Sequence, residues 1–280
     1  LVDGIDSVVT NCNFSGTVKG GNNTGGVIGK SYYSATISYC NAKGSVTGVN
    51  CVGGIVGYQT PQYTYKTTNY NYIKYCNNSA DISAESNVGG IVGYSLSCVG
   101  VPNGYSNYCY GYSYVQYCSN SGNITATGSK AGGIVGSASY ETINSSYNAI
   151  TIVDYCYNCG DISAPDYAGG LIGKTEYTNV KHCYSVGDVI ATSNFGGCFG
   201  NTPNSVTFCY YLDEAVTNPT CTSGTVKSGD QLRRATAYEQ WDFKTIWTMK
   251  GRDDYKYPEL IDVPLVLPED SEHVHEYTSE

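Results

Sequence analysis

Hydrophobic residues recur along this chain in short runs that keep a fixed frame. In six places a pair of glycines is followed by two apolar residues and a third glycine, as in "NVGGIVGY" from Asn87. A cysteine precedes the first glycine of each pair by 13 residues, or by 14 in the fourth repeat. The pairs are Gly25–Gly26, Gly53–Gly54, Gly89–Gly90, Gly132–Gly133, Gly169–Gly170 and Gly196–Gly197, and the cysteines are Cys12, Cys40, Cys76, Cys118, Cys156 and Cys183. Cys209 starts a seventh repeat that has no glycine pair.

Apolar positions within each repeat predict three short strands. An aliphatic residue stands three positions before every one of these cysteines, and a valine or isoleucine stands six positions after each of the first six. Gly, Asn or Ser separates one apolar run from the next, which is typical of strands joined by tight corners. One repeat cannot bury its own apolar face, whereas stacked repeats pair each strand with its equivalent above and below.

We therefore expect an all-β fold, a right-handed parallel β-solenoid of about seven coils with three parallel sheets around a narrow core. The competing architecture, a propeller or a meander of hairpins, needs an even number of strands per repeat and hairpin dipeptides between them. In the solenoid interpretation the glycines mark sharp corners with positive φ, a conformation that is inexpensive only for glycine.

Composition and charge exclude several classes of partner. The chain has 280 residues, of which 34 are Gly and 29 are Tyr, and its formal net charge is −9 with only 15 Lys and Arg. Nothing resembles the basic stripe that meets nucleic-acid phosphates, so we expect no nucleic-acid partner. Neither a signal peptide nor a hydrophobic run of about 20 residues occurs, so we expect no membrane insertion. The repeat pattern is already under way at Leu1, which indicates a piece of a longer protein.

The repeated words resemble a known family. The glycine motif, with "YCNAKGSVTG" and "YCSNSGNITATG" upstream of it, is similar to the GLUG-motif repeats of bacterial surface proteins. Such repeats also occur in non-catalytic regions of IgA-specific zinc metallopeptidases. The resemblance covers roughly residues 7–200 and implies a cell-surface or secreted bacterial protein.

The C-terminal part of the chain resembles the segment that often closes such arrays. It contains "YEQWDFKTIWTMKGRDDYKYPELI", and its aromatic and aliphatic residues are expected to cover the open end of the core. These residues are Trp241, Phe243, Trp247, Tyr257 and Leu260. We therefore divide the chain into repeats at 1–211, a cap at 212–263, and a linker to a missing downstream domain at 264–280.

The cysteines of the repeats predict a ladder of thiols. In-register neighbours have nearly parallel Cβ vectors, which is poor geometry for a disulfide, so we expect free thiols that fill a corner or the edge of the core. Free thiols survive best where oxygen is absent, so we expect an anaerobic habitat. Disulfides between Cys98 and Cys109, and between Cys209 and Cys221, remain open alternatives.

Catalytic chemistry has few candidates in this sequence. A Ca²⁺-dependent polysaccharide lyase, an enzyme class that also uses a parallel β-solenoid, would have to use Asp161 and Asp188 on adjacent coils. The alternative is that these aspartates are corner residues that accept hydrogen bonds from backbone amides. His182 stands where other repeats have an aromatic residue, so packing is the expected role. After His275 and Glu276, Ser279 occupies the place of the second zinc-ligating histidine. We expect a protein that is not an enzyme and has no cofactor or metal.

Tyrosines concentrate in the three longest insertions between a glycine pair and the next cysteine. Those insertions leave consecutive coils on one edge, and insertions on one side of a repeat protein commonly form its binding face. Tyrosine with Asn, Ser and Gly is also the composition of antibody paratopes. The candidate ligand-binding residues are Tyr58, Tyr63, Tyr65, Tyr70, Tyr72, Tyr94, Tyr105, Tyr108, Tyr110, Tyr112 and Tyr114. We expect their loops to merge into one patch, although alternating tyrosines are equally the pattern of an extended sheet.

The functional expectation is an extracellular binding or adhesion module of a bacterial surface protein. Its partner is expected to be a glycan or a host surface protein, bound through the tyrosine-rich edge. The alternatives are the polysaccharide lyase, and a purely structural stalk or filament subunit that self-associates through the solenoid ends.

Overall fold

The computed structural model describes residues 2–3, 6–61, 68–100, 109–142, 149–250 and 256–263. The first strands are β1 Val2–Asp3, β2 Ser7–Thr10, β3 Asn13–Lys19, β4 Thr24–Gly25, β5 Ile28–Tyr32, β6 Ala35–Ser38, β7 Asn41–Thr47, β8 Asn50–Gly53, β9 Val56–Thr60, β10 Asn69–Lys74, β11 Asn77–Gly89, β12 Val92–Gly100, β13 Cys109–Gln116, β14 Ser119–Asn120, β15 Ile124–Gly132 and β16 Val135–Thr142. The remaining strands are β17 Thr151–Asp154, β18 Tyr157–Asn158, β19 Ile162–Ser163, β20 Asp166–Gly169, β21 Ile172–Thr175, β22 Thr178–Lys181, β23 Tyr184–Ser185, β24 Val189–Ile190, β25 Ser193–Gly196, β26 Ser205–Thr207, β27 Tyr210–Leu212, β28 Thr225–Lys227, β29 Trp247–Thr248 and β30 Glu259–Leu260. Short helices lie at Asp213–Ala215, Gly229–Leu232 (α1) and Ala235–Ala237.

The fold is a parallel β-solenoid. Each strand pairs in register with its equivalent one repeat later, so the aliphatic residue before each cysteine lies beside its counterparts above and below. These aliphatic residues fill the core, where Ile73, Val115 and Val153 are fully buried. Burying one such side chain contributes about 1.5–3 kcal/mol. The all-β class and the parallel stacking confirm the prediction from the sequence. No helix in the described part of the chain is long and apolar enough to span a membrane.

The described strands form two large sheets, of 13 and 15 strands, where we expected three. Strand β11 continues for 13 residues, so the segment after its cysteine and the segment before its glycine pair belong to one sheet. Strands β12 and β13 pair antiparallel, which joins the other two ladders of the solenoid into the second sheet. Sequence spacing located the strands, whereas the continuity of hydrogen bonding round a corner depends on backbone bending.

The predicted reason for the glycine pairs is wrong. Among the described residues the left-handed glycines are Gly16, Gly44 and Gly224, and none belongs to a pair. Two left-handed corners instead recur from coil to coil, at residues other than glycine. One set precedes the cysteines, at Asn11, Tyr39, Tyr75, Tyr117, Tyr155, His182 and Phe208, and the other precedes the glycine pairs, at Asn23, Cys51, Asn87, Lys130, Tyr167 and Asn194.

Close approach of neighbouring segments explains the glycines. A methyl group added to Gly89 would lie 2.6 Å from the backbone nitrogen of Gly136 on the next coil. A methyl group on Gly90 would overlap the carbonyl oxygen of Gly133 and lie 2.5 Å from Oδ1 of Asn120. Since Cβ atoms do not approach other heavy atoms so closely, the pairs are required by packing between coils and across the core.

A ladder of buried asparagines faces the second glycine of three pairs, at Gly54, Gly90 and Gly133. Nδ2 of Asn78 donates to Oδ1 of Asn120 at 2.7 Å, and Nδ2 of Asn120 donates to Oδ1 of Asn158 at 2.7 Å. The same Nδ2 atom of Asn120 also donates to the carbonyl oxygen of Gly122 at 2.8 Å. The sequence contained this signal, because all three asparagines stand two residues after a ladder cysteine. Sequence analysis nevertheless missed the ladder.

The left-handed corners before the cysteines carry a stacked aromatic ladder. Ring centroids are 4.9 Å apart for Tyr39 and Tyr75, and 4.8 Å apart for Tyr75 and Tyr117. His182 lies 4.8 Å from the ring of Tyr155, with the two planes 3° apart. His182 therefore packs as an aromatic residue, as the sequence predicted. Each such stack contributes about 0.5–1.5 kcal/mol, which offsets part of the cost of a left-handed tyrosine.

The ladder cysteines are free thiols at a corner of the core, as predicted. The thiol of Cys118 donates to the carbonyl oxygen of Gln116 at 3.2 Å, and the thiol of Cys76 makes the same contact with Lys74 at 3.2 Å. Of the pairings left open, Cys209 and Cys221 are both free. The thiol of Cys98 donates to the carbonyl oxygen of Pro61 at 3.1 Å. The side chain of Cys109 lies outside the described residues.

We expect alkylation to separate the ladder thiols by their burial. Cys12 is exposed and should react with iodoacetamide in the native protein, whereas Cys76, Cys118 and Cys183 should react only after unfolding. Burial raises the pKa of these three thiols above the ordinary value of 9.0, so the reactive thiolate is scarce as well as inaccessible. Mass spectrometry of unreduced protein measures the modification. Bridged peptides between neighbouring coils would contradict the account.

The C-terminal aromatic residues lie on the flank of the solenoid, and not over its end as we expected. Trp241 and Trp247 pack with Tyr157, Tyr184 and Tyr210, which belong to three consecutive coils. The hydroxyl of Tyr184 donates to the carbonyl oxygen of Pro258 at 2.5 Å. The end of the core is instead covered by the stretch from 211 to 221, whose buried residues Tyr211, Val216 and Cys221 join the main core cluster.

Candidate functional site

The long insertions extend the solenoid sheets outward as a wing, which we define as β9, β12 and β16 on one side and β10 and β13 on the other. Strands β12 and β16 pair in parallel from Val92 and Val135 to Val99 and Thr142. Antiparallel pairing of β12 with β13 holds the two sides together near Cys98 and Gly111. Part of each insertion is therefore a continuation of the sheet and not a loop.

Buried polar residues fill the space between the two sides of the wing. Nε2 of Gln59 donates to Oγ of Ser95 at 2.9 Å, and the Ser95 hydroxyl lies 3.2 Å from that of Thr151. Ser95 belongs to β12, whereas Thr151 belongs to β17, which pairs with β13. Because neighbouring residues of a strand point to opposite faces, the tyrosines adjacent to these inward residues point outward on both sides.

Five of the candidate tyrosines come together on the outer face of β10 and β13. They are Tyr70, Tyr72, Tyr110, Tyr112 and Tyr114, and we call them the tyrosine platform. Ring centroids are 4.8 Å apart for Tyr72 and Tyr114, and 5.7 Å apart for Tyr70 and Tyr112. Tyr110 stacks on Tyr112 at 5.8 Å. Burial raises the pKa of Tyr72, Tyr112 and Tyr114, so these hydroxyls remain protonated donors at neutral pH.

The platform leaves ring faces available on one side. Parallel register places Thr36 beside Tyr72 and Ala35 beside Asn71. Continued by one residue, the same register places Ser34 next to Tyr70. These small side chains cannot cover a phenol ring, and 38% of Tyr70 is exposed. The ammonium group of Lys74 lies 4.0 Å from the ring centroid of Tyr72. The platform thus combines exposed aromatic surface, phenol hydroxyls and one cation.

The candidate tyrosines do not form the single patch that we expected. Tyr58 and Tyr94 stack at 5.4 Å on β9 and β12, which face the opposite side of the wing from the platform. The separation arises because the insertions leave along one ladder and return along another, with their outward faces opposed. The other four candidates, Tyr63, Tyr65, Tyr105 and Tyr108, lie outside the described residues.

One aspartate of the lyase hypothesis, Asp161, acts as a corner residue. Oδ1 of Asp161 accepts a hydrogen bond from the backbone N–H of Asp188 at 3.0 Å, and Asn123 makes the equivalent contact with Asp161 at 3.1 Å. Within the described ranges, no group of three or more His, Cys, Asp or Glu side chains is arranged to hold a metal ion. The carboxylate of Asp161 therefore caps a backbone amide, as the corner-residue alternative expects.

One buried carboxylate lies on the flank near the C-terminal segment. Asp154 is 3% exposed, with its oxygens 3.1 Å from Nδ1 of His182 and 3.3 Å from Nζ of Lys181. Burial raises the pKa of Asp154 above its ordinary value of 3.8, although both partners act in the opposite direction. The cost of desolvating the charged carboxylate therefore exceeds the stabilisation that His182 and Lys181 give it.

We expect Asp154→Asn to flatten the dependence of stability on pH. Because the pKa is raised in the folded state, the folded protein holds this proton more tightly than the unfolded chain, and the parent gains stability as the pH falls through that pKa. The variant should be at least as stable as the parent at pH 7, and this advantage should disappear near pH 4. Urea unfolding at both pH values measures it, and a variant less stable at pH 7 would contradict the stated balance.

Comparison with known proteins bears on the repeats described above. A family model described as the GLUG motif matches residues 20–47 and 165–190. The chain carries GLUG repeats. Each matched segment begins just before a glycine pair and ends after the cysteine of the next coil. In-register strand pairing relates these segments to the other glycine-pair repeats.

Two further comparisons complete the picture. One solved structure, from Bacteroides ovatus and titled a "putative immunoglobulin A1 protease", is similar to this chain with a TM-score of 0.45 and 18% identity. The match covers 91% of this chain and 75% of the other. No curated protein matches the GLUG-repeat chain.

Proposed function

We propose that this GLUG-repeat solenoid is a non-enzymatic binding module of a bacterial surface protein, and that it recognises a glycan through the tyrosine platform. The observation that carries the proposal is the platform itself, in which five tyrosines on two neighbouring coils are held in rigid strands. Aromatic rings bind the apolar faces of sugars, and phenol hydroxyls bind sugar hydroxyls. Placing both on a preorganised sheet lowers the entropy cost of binding.

Strand pairing supports a recognition surface that exists before the ligand arrives. Tyr70 and Tyr72 pair in register with Tyr112 and Tyr114, and the residues between them point inward and are buried. The rings are therefore fixed relative to one another by backbone hydrogen bonds. Long tyrosine side chains that lined a flexible loop would have to be ordered on binding.

The test is calorimetric titration with oligosaccharides released from gastric mucin. We expect the parent to bind, and the variant Tyr72→Ala/Tyr114→Ala to lose about 2–4 kcal/mol, or about 1–2 kcal/mol for each ring near the centre. Tyr39→Ala is the matched control, because Tyr39 is also stacked and is 46% exposed but lies in the corner ladder. It should bind as the parent does.

A different outcome would assign the tyrosines a packing role. If the platform variant binds like the parent, or if its loss of binding only follows a loss of folded protein measured by circular dichroism, the stacked rings merely extend the sheet. The chain would then be a structural stalk. Glycan affinity that survives Tyr72→Ala/Tyr114→Ala but disappears in Tyr39→Ala would place the binding surface on the corner ladder.

A further inference from the structure

A second outward row crosses the opposite side of the wing, and lysines stand at both of its ends. Parallel register aligns Lys30 with Tyr58, Tyr58 with Tyr94, Tyr94 with Ser137, and Ser137 with Lys174. We call these five residues the lysine–tyrosine row. In-register partners point to the same face of a sheet, so the row follows one face over five consecutive coils, and Ser137 is its buried member.

Within the described ranges, acidic groups compensate the cations near this row only in part. Nζ of Lys174 makes an ion pair with Glu176 at 2.9 Å. Nζ of Lys30 instead lies 4.5 Å from the ring centroid of Tyr58, and within the described ranges neither Lys30 nor Lys130 makes an ion pair. Lys174 and the charge of Lys130 both lower the pKa of the Glu176 carboxyl, so this acid compensates part of the positive charge at that end of the row.

Lys130 approaches the row from the neighbouring corner. It occupies the left-handed position of its coil, in the corner ladder that also contains Cys51 and Asn87. Burial raises the pKa of the Cys51 thiol to about 11, while the charges of Lys130 and Lys30 act in the opposite direction. Both ammonium groups therefore act on the same corner, beside the stacked Tyr58 and Tyr94.

Two buried polar atoms along this surface have no hydrogen-bond partner among the described residues. Oγ of Ser137 lies in the row between Tyr94 and Lys174, and the residue is 1% exposed. Oδ1 of Asn87, in the corner ladder between Cys51 and Lys130, is also unpartnered, and its residue is 7% exposed. An unsatisfied buried polar group destabilises the free protein, and a ligand hydroxyl that reaches it removes that cost.

We propose that the lysine–tyrosine row binds an acidic glycan. A sugar ring lies against the Tyr58–Tyr94 stack, and the carboxylate or sulfate of the sugar lies between Lys30 and Lys130. Charge complementarity selects the anion, and the aromatic pair selects a sugar over a free inorganic ion. This site is on the opposite side of the wing from the tyrosine platform, so the two proposals stand or fall separately.

The test compares three hexasaccharides by calorimetry. Hyaluronan carries carboxylates, heparin carries sulfates as well, and chitohexaose is neutral. We expect an acidic hexasaccharide to bind the parent at least tenfold more tightly than chitohexaose does, with affinity that falls as salt is added. Hyaluronan and heparin together show whether a carboxylate suffices or a sulfate is needed. If neither binds more tightly than chitohexaose, the proposal is wrong.

Matched variants separate the site from net charge. Lys30→Gln/Lys130→Gln should weaken acidic binding at least tenfold, whereas Lys19→Gln/Lys43→Gln, which removes the same charge from β3 and β7, should leave it unchanged. An equal loss in both variants would overturn the proposal. The platform variant Tyr72→Ala/Tyr114→Ala should retain acidic binding.

A conservative substitution gives a readout independent of the lysines. Ser137→Ala removes an unpartnered hydroxyl, so it should raise the melting temperature of the free protein while weakening acidic binding severalfold. A purely structural serine would change the melting temperature and leave the affinity as it was, and that result would contradict the assigned contact.

Discussion

Replacing Gly90 with alanine should unfold most of the repeat array. The added methyl group would overlap the carbonyl oxygen of Gly133 on the next coil, and it would lie 2.5 Å from Oδ1 of Asn120 across the core. Neither the backbone nor the buried asparagine can withdraw, because each is fixed by hydrogen bonds to further coils. We expect a loss of about 3–5 kcal/mol in the free energy of unfolding, at the upper end for overpacking.

Urea denaturation followed by circular dichroism measures this loss, and Gly21→Ala is the control. A methyl group on Gly21 meets no atom within 4 Å, so that variant should stay within about 0.5 kcal/mol of the parent. If Gly90→Ala were as stable as Gly21→Ala, the glycine pairs would not be explained by close packing between coils.

Removing one rung of the buried asparagine ladder should cost about 2–4 kcal/mol. In Asn120→Ala the carbonyl oxygen of Gly122 and Oδ1 of Asn158 each lose the Asn120 donor, and Nδ2 of Asn78 keeps only one of its two acceptors, the carbonyl oxygen of Ala80. All of these groups are buried, so water cannot replace the amide without entering the core.

Asn41→Ala is a matched control for the ladder. Nδ2 of Asn41 donates to Oδ1 of Asn13 at the same distance of 2.7 Å, but this pair is exposed. The loss there should be below about 1 kcal/mol, because water replaces the partner. Equal losses for Asn41→Ala and Asn120→Ala would show that burial of the ladder has no energetic importance.

The parallel stacking followed from the sequence because it depends on a feature that a linear chain displays directly. The distance of 13 residues between Cys76 and Gly89, which recurs in every glycine-pair repeat except the fourth, fixes which residues become neighbours in adjacent coils. The free thiols and the packing role of His182 followed from the same alignment of repeats. Each prediction needed only the knowledge that equivalent residues lie above one another.

The functions of the glycines and of the C-terminal aromatics did not follow, for two different reasons. The space at Gly90 is limited by Asn120 and Gly133, and no single repeat contains those contacts. The position of Trp241 and Trp247 did leave a signal, since the residue after the ladder cysteine changes from Asn77 to Tyr157 and its successors in the last coils. Those aromatic residues are the surface on which the C-terminal segment packs.

The sequence predicted which residues belong to the candidate site but not which way all of them face. The insertions and their tyrosines were apparent from spacing and composition, and five of them do assemble into one platform. That Tyr58 and Tyr94 face the other way was hidden, because it depends on which strand ladder each segment joins. The extended strands present tyrosines on two opposite sides of the wing. The structure therefore has two surfaces of different charge where we expected one patch.

The most direct test of the central claim is an NMR titration of protein with ¹³C-labelled tyrosine rings, using the mucin oligosaccharides of the calorimetric experiment. The account predicts that the resonances of Tyr70, Tyr72, Tyr112 and Tyr114 shift together and saturate at one affinity, while those of Tyr39 and Tyr75 stay in place. Shifts confined to the corner ladder, or no shifts at millimolar oligosaccharide, would contradict the assignment of the platform as the binding surface.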